Sequence, residues 1–220
     1  MIAERDLRKR GLAGNSEVAI YTPEPFPLPV TGEKMGMKVR GMLEKRGIKY
    51  FENHKITEID PAKREMIFEN GKAYTYDLLA GIPPHSAPDA VRNSPLADQS
   101  TYVPVDKHTL LTKYEDIYAI GDAAKITIAG GKALPKAGVF AHHQGEVVAE
   151  RIIASIEGRN TDRKFNGDGS CVLETGGSGA GYAKGNFFTE PAPAVRMYPP
   201  FFGWHLAKIM FEKWWFWKYF

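Results

Sequence analysis

"DIYAIGDAAK", residues 116–125, is the stretch on which the reading of this chain turns. An apolar run, Ile117 to Ile120, stops abruptly at Gly121-Asp122, and the small residues Ala123 and Ala124 follow. The pattern predicts a strand that ends at the glycine. Glycine at a strand end lets a ligand approach the backbone. The neighbouring aspartate offers oxygens that accept hydrogen bonds from hydroxyl groups. Gly-Asp is also ordinary in a surface turn, so the flanking sequence has to decide its meaning.

Downstream, PKAGVFAHHQGEVVAERIIASIEG (135–158) reads as one long helix, with Pro135 near its start and Gly158 past its end. Pro135-Lys136-Ala137-Gly138 opens it, where free backbone N–H groups and the positive end of the helix dipole gather. Ala137 and Gly138 are small enough for close approach. Simple capping with a solvated Lys136 is the plainer alternative.

Upstream, MIAERDLRKRG predicts a helix ending at Gly11, and EVAIYT (17–22) a strand. PEPFPLP (23–29) is a Pro-stiffened loop. Residues 33–47 are helical, with Met35, Val39, Met42 and Leu43 roughly on one face. IKYFEN, KITEIDP and REMIFEN are strand-like, and Asn70-Gly71 suits a hairpin turn. DLLAGIP (77–83) reads as a short buried strand. Residues 1–83 thus form a doubly wound α/β unit with a small β-meander as crossover. A parallel βαβ unit does not begin with its crossover helix, so the chain is expected to start inside a domain.

Composition narrows the classes. With 43% hydrophobic and 25% charged residues in 220, the chain is globular rather than disordered, with room for one large domain or two small ones. A net charge of +3, without a basic run, gives no reason to expect nucleic acid as a partner. The single cysteine, Cys171, excludes a disulfide framework and a Cys-based metal site, and fits a reducing compartment. His142 and His143 are adjacent on the predicted helix, point about 100° apart and have no third ligand, so no metal is expected. Residues 1–12 are too charged for a signal peptide, and no apolar run is long enough for a bilayer.

"LLAGIPPHSAP" (78–88), "IYAIGDAA" (117–124), "LPKAGVFAHHQGEVVAERI" (134–152), "GSCVLETG" (169–176) and the aromatic C-terminus follow in order. Together they resemble the sulfide:quinone oxidoreductases of the FAD-dependent pyridine nucleotide–disulfide oxidoreductase superfamily, and specifically their C-terminal part. The resemblance implies an α/β fold in three pieces. Residues 1–100 would be an incomplete Rossmann-like domain lacking its first strand and glycine loop. Residues 101–158 would be the returning part of an FAD-binding domain. Residues 159–220 would be a C-terminal β-hairpin plus amphipathic helix.

The resemblance also implies roles. Gly121, Asp122, Lys136, Ala137 and Gly138 would hold FAD, and Cys171 would be a catalytic redox cysteine. A reduced sulfur compound would be the substrate and quinone the acceptor, with an N-terminal half or a homo-oligomer partner completing the protein. NADH:quinone reduction, disulfide reduction and a non-catalytic module remain alternatives. Against NADH, EVAIYT ends in Thr22, with Glu24 offset beyond Pro23, where a nucleotide-binding strand would place an acid for the ribose. His85 matches the loop between domains and is given no chemistry.

Two features remain. GGSGAG (176–181) is spaced G-x-G-x-G, which favours a hairpin turn over a phosphate loop. All four tryptophans lie between Trp204 and Trp217. As a helix, 204–219 sets Leu206, Met210, Trp214 and Trp217 in one stripe, with His205, Lys208 and Glu212 opposite and Lys213 and Lys218 at the flanks. A membrane surface is the expected partner of this stripe, a protein contact the alternative, and the expected location is cytoplasmic and peripherally membrane-associated.

Overall fold

The computed structural model describes residues 1–220. Contacts divide it into two compact units. Unit 1 comprises Met1–Ile82, Val172–Ala183 and Met197–Phe220; unit 2 comprises Pro83–Cys171 and Lys184–Arg196.

Unit 1 opens with helix α1 (Ile2–Lys9), which stops where the glycine predicts. Gly11 takes φ +72°, and the Leu12 N–H reaches back to the Leu7 carbonyl at 2.9 Å. Strand β1 (Ala19–Tyr21), helix α2 (Glu33–Glu44) and strand β2 (Lys49–Phe51) then form a parallel βαβ unit in the register Ala19↔Lys49, Tyr21↔Phe51. The α2 stripe Met35, Val39, Leu43 is buried, at the spacing of one helical face. Strands β3 (Ile56–Asp60), β4 (Glu65–Phe68) and β5 (Ala73–Thr75) make the antiparallel meander. Its turn at Asn70-Gly71 closes through Gly71 N–H to the Phe68 carbonyl at 2.9 Å. Aromatic rings join meander to parallel pair. Tyr21 stacks on Phe51 at 4.7 Å and 7° and meets Phe68 and Tyr74 at 5.1 and 5.0 Å.

The buried strand expected over 77–83 does not form. Leu78 is 90% and Ile82 87% exposed, and no ladder continues past Tyr76. An apolar run becomes a strand only if a neighbour pairs its backbone, and here Pro83 and Pro84 follow without N–H groups to donate.

In unit 2, a one-turn helix α3 (Asp89–Arg92) precedes strand β6 (Val103–Pro104), which pairs in parallel with β7 (Ala124–Lys125). The run Ile117–Ile120 is less regular than expected. It makes a single bridge, Leu111↔Tyr118, before a 3₁₀ turn over Gly121–Ala123 leads into β7. A strand ending at Gly121 is therefore replaced by an extended segment, because only Leu111 pairs with it. Helix α4 (Gly138–Ile156) follows, beginning three residues after Pro135 and closed by Gly158 at φ +66°. Its Phe140 anchors the core of this unit. The ring meets Phe187 edge-on at 5.1 Å and Phe165 at 6.1 Å, and it lies where a side chain at Gly169 would have to go.

Strands β8 (Asp168–Glu174), β9 (Ala180–Asn186) and β10 (Ala194–Phe201) form a sheet in the order β10-β9-β8, and the division into units cuts all three. Residues 175–179 link β8 to β9, so the Gly-rich stretch is the predicted hairpin turn. Thr175 Oγ1 donates to the Gly179 carbonyl at 2.6 Å, and Arg46 and Arg5 donate to the carbonyls of Gly176 and Gly177. Helix α5 (Phe202–Tyr219) ends the chain. No helix is long and apolar enough to cross a membrane.

Candidate functional site

Of the residues expected to hold a cofactor, Gly121, Lys136 and Ala137 line one recess, and Asp122 and Gly138 are not part of its lining. Ala124, Ile126 and Leu134 line it too, together with Phe140 and Gln144 of α4. The turn is pressed against the helix. Gly121 holds φ +61°, and a Cβ built on it would sit 3.3 Å from the Ala141 Cβ. Position 121 thus demands glycine both for its left-handed backbone and for its neighbour.

Polar side chains secure this turn from two directions. The Gly121 N–H donates to Oε1 of the buried Gln144 at 2.7 Å. The Lys136 ammonium donates to the Asp122 carbonyl at 2.8 Å and to the Ala124 carbonyl. The same ammonium lies 4.1 Å from the centre of the Tyr102 ring. Lys136 is exposed as a residue, yet its charged end is turned inward. Burial pushes its pKa below the usual lysine range, with the Asp122 carboxylate pulling the other way. Asp122 is exposed, and no hydrogen bond within the chain uses its carboxylate.

The start of α4 is uncapped. Ala137 occupies the cap position in an extended conformation and makes no side-chain hydrogen bond. The Phe140 and Ala141 N–H groups bond the Ala137 carbonyl, which leaves those of Gly138 and Val139 outside the helical ladder. An uncapped, positively polarised helix end beside an uncommitted carboxylate suits a ligand carrying both hydroxyl groups and electron-rich carbonyl or phosphate oxygens.

The sequence pattern of the pyridine nucleotide-disulphide oxidoreductase family matches residues 7–145. The chain belongs to that family. It is 27% identical over 166 residues to the mitochondrial sulfide:quinone oxidoreductase of Mus musculus, covering 72% of this chain and 36% of that protein. Its likeness to the Dictyostelium discoideum counterpart is 27% over 174 residues, or 77% and 37% of the two chains. This family member therefore spans little more than a third of the length of those relatives. The X-ray structure of the sulfide:quinone oxidoreductase from the hyperthermophilic bacterium Aquifex aeolicus superposes with a TM-score of 0.83 at 21% identity. That superposition covers 99% of this chain and 53% of the other, and shows a shared α/β fold.

Cys171 stands apart from the recess. It is exposed on β8 and is not among the residues that line the pocket. His142 and His143 sit on α4 with ring centres 5.9 Å apart, and His142 faces Glu146 at 3.5 Å.

Gln144 lines the recess and Tyr102 lies under the Lys136 ammonium, and neither was among the residues expected there. Gln144 had a legible signal. Phe140, Gln144 and Val147 share one face of α4, so one amide interrupts an otherwise apolar stripe. Tyr102 had none, since it lies in a short connection far from Lys136 in sequence.

At the C-terminus, α5 is attached by its polar side. Lys208 Nζ and His205 Nδ1 lie 3.0 and 3.3 Å from Oε1 of Glu174 on β8. Burial alone would raise the Glu174 pKa, but the hydrogen bonds from Lys208 and His205 outweigh it and hold the carboxyl below its usual range. Trp204 stacks on Tyr182 at 4.8 Å. The predicted stripe Leu206, Met210, Trp214 and Trp217 is exposed, and so are Phe211, Phe216 and Phe220. Apolar surface thus extends around much of the helix, between the polar strip of His205, Lys208 and Glu212 and the flanking Lys213 and Lys218.

Proposed function

We propose that this chain is part of an FAD-dependent oxidoreductase that passes electrons from sulfide, or another reduced sulfur compound, to a quinone at a membrane surface. The observation that carries this reading is the secured Gly121-Asp122 turn beside the uncapped start of α4. The Asp122 carboxylate would accept hydrogen bonds from the ribityl hydroxyls of FAD. Ala137 and Gly138 would bring the helix end to the flavin edge that gains negative charge on reduction, a stabilisation of about 0.3–2 kcal/mol. Lys136 would add positive charge to the same place while it holds the turn. Bound FAD would supply the carrier that takes an electron pair and delivers it to quinone.

Cys171 would be one sulfur of a disulfide that sulfide attacks, with the partner cysteine leaving as thiolate. Any dithiol exchange would need a second cysteine from outside the chain, since Cys171 is its one cysteine. Helix α5 would lie in the membrane interface with its tryptophans at headgroup depth, close to a lipid-soluble quinone. On this reading residues 1–100 are part of the second Rossmann-like domain, 101–158 the returning part of the FAD domain, and 159–220 the docking segment. The protein would sit peripherally on the cytoplasmic side of its membrane. An N-terminal half or a second subunit would complete it.

Flavin binding tests the reading directly. The purified chain, titrated with FAD alone and with the N-terminal half of a relative present, should become yellow with about one FAD per chain. A chain that stays colourless in both conditions removes the flavin reading. In the catalytically complete enzyme, Cys171→Ser should abolish sulfide-dependent quinone reduction and spare flavin binding. Unchanged turnover would make Cys171 structural and turn the donor assignment towards NADH.

A further inference from the structure

We propose that Gln144 is a positioning residue for the ligand held at Gly121-Asp122, an inference that rests on the flavin reading of that site. Gln144 is 2% exposed and lies on the α4 face that also buries Phe140 and Val147. A buried amide among apolar neighbours persists when it has a specific hydrogen bond to make. Here that bond is to the Gly121 N–H, at 2.7 Å.

The geometry explains why the bond is needed. Gly121 takes φ +61° in the 3₁₀ turn, and its N–H meets Gln144 of α4 rather than a sheet ladder. The turn approaches the helix so closely that no Cβ fits comfortably against Ala141. Lys136 meets the carbonyls on the far side of the same turn. With both sides of the backbone secured, the Asp122 side chain is left to face outward. The Gln144 amide oxygen is taken up by the Gly121 N–H. It acts through Gly121, fixing where the neighbouring carboxylate stands relative to the start of its own helix.

Replacing Gln144 by leucine keeps roughly the volume and removes the acceptor, whereas glutamate keeps an acceptor at the same reach. The experiment measures hydrogen exchange of the Gly121 amide by NMR and FAD affinity by fluorescence quenching. The full chain is used as wild type, Gln144→Leu, Gln144→Glu and Asp122→Asn, with circular dichroism as the fold control. In Gln144→Leu, Gly121 protection and FAD affinity should each fall about tenfold or more with the spectrum retained, and Gln144→Glu should restore most of both. If Gly121 stays protected in Gln144→Leu, or FAD affinity holds when protection is lost, the inference is overturned. Gln144→Met, also without a good acceptor, replaces the leucine variant should that fail to fold. If only Gln144→Glu folds, the residue is structural and the inference falls. Failure of the flavin reading looks different: wild type takes up no FAD either alone or with the N-terminal half of a relative present, or Asp122→Asn binds it as well as wild type. Either result removes the ligand role, while Gly121 exchange still reports whether the hydrogen bond exists.

Discussion

Helices α4 and α5 are nearly equal in length, 19 and 18 residues, and both are rich in apolar side chains. Their fates differ. α4 buries Phe140, Gln144, Val147 and Ala154, whereas α5 buries no residue at all. The buried face of α4 meets rings supplied by Phe165 and Phe187, and its polar exception is met by a backbone N–H. α5 is held through His205, Lys208 and the stacked Trp204, so the side that ordinarily faces water is the side tied to protein. Apolar content alone therefore does not tell a core helix from one whose apolar side stays exposed. What separates them is which side the rest of the chain covers.

The comparison breaks most visibly by deletion. Removing Phe201–Phe220 should release the protein from anionic liposomes almost completely. Three lysines, Lys208, Lys213 and Lys218, contribute only about 1 kcal/mol each near such a surface, so the aromatics must supply most of the affinity. High salt should accordingly weaken sedimentation only in part. Full-length protein that stays in the supernatant, with an oligomer that dissociates on truncation, would mean α5 is a subunit contact.

Single substitutions sharpen the contrast within the fold. Phe140→Ala on α4 should cost about 3–5 kcal/mol in urea unfolding. Phe211→Ala on α5 should stay within about 0.5 kcal/mol, because its ring is exposed already. Equal costs at the two positions would show α5 to be packed in solution.

Next in size is Asp122→Ala, which removes hydrogen bonds to a charged acceptor worth about 1.5–3 kcal/mol each. FAD retention through dialysis should fall with the fold intact. Retention equal to wild type would leave the Gly-Asp pair as an ordinary turn.

The smallest effect concerns pH. Glu174 has its pKa depressed in the folded state, so its contribution is complete above the ordinary carboxylate pKa and is lost as pH falls through the lower folded value. The ion pair is partly exposed, and its worth should stay near or below about 1 kcal/mol. All four tryptophans lie in α5, so their fluorescence reports on that helix alone. Acidification from pH 7 to below 4 should change it in wild type, and Glu174→Gln should flatten the change. An identical acid response in the two proteins would exclude this tether.

Local grammar was legible in the residues. The stops at Gly11 and Gly158, the Asn70-Gly71 turn, the βαβ unit and the β8–β9 hairpin each follow from chemistry within a few residues, where glycine conformers, periodicity and turn preferences act. Gly121, Asp122, Lys136, Ala137 and Gly138 were singled out through the family resemblance, and of these the fold sets Gly121, Lys136 and Ala137 around one recess. The strand expected over 77–83 could not be settled from its own residues, since a strand exists only with a paired neighbour, and Leu78 and Ile82 found none. Tyr102 beneath Lys136, Gln144 on the Gly121 N–H and Glu174 under Lys208 are likewise meetings between distant residues. Sequence alone determined which groups were available and which way each short segment would bend. Tertiary structure decided which of them were buried, which were tied to one another, and which side of α5 was left uncovered, because desolvation and hydrogen bonding depend on neighbours that only the folded chain brings together.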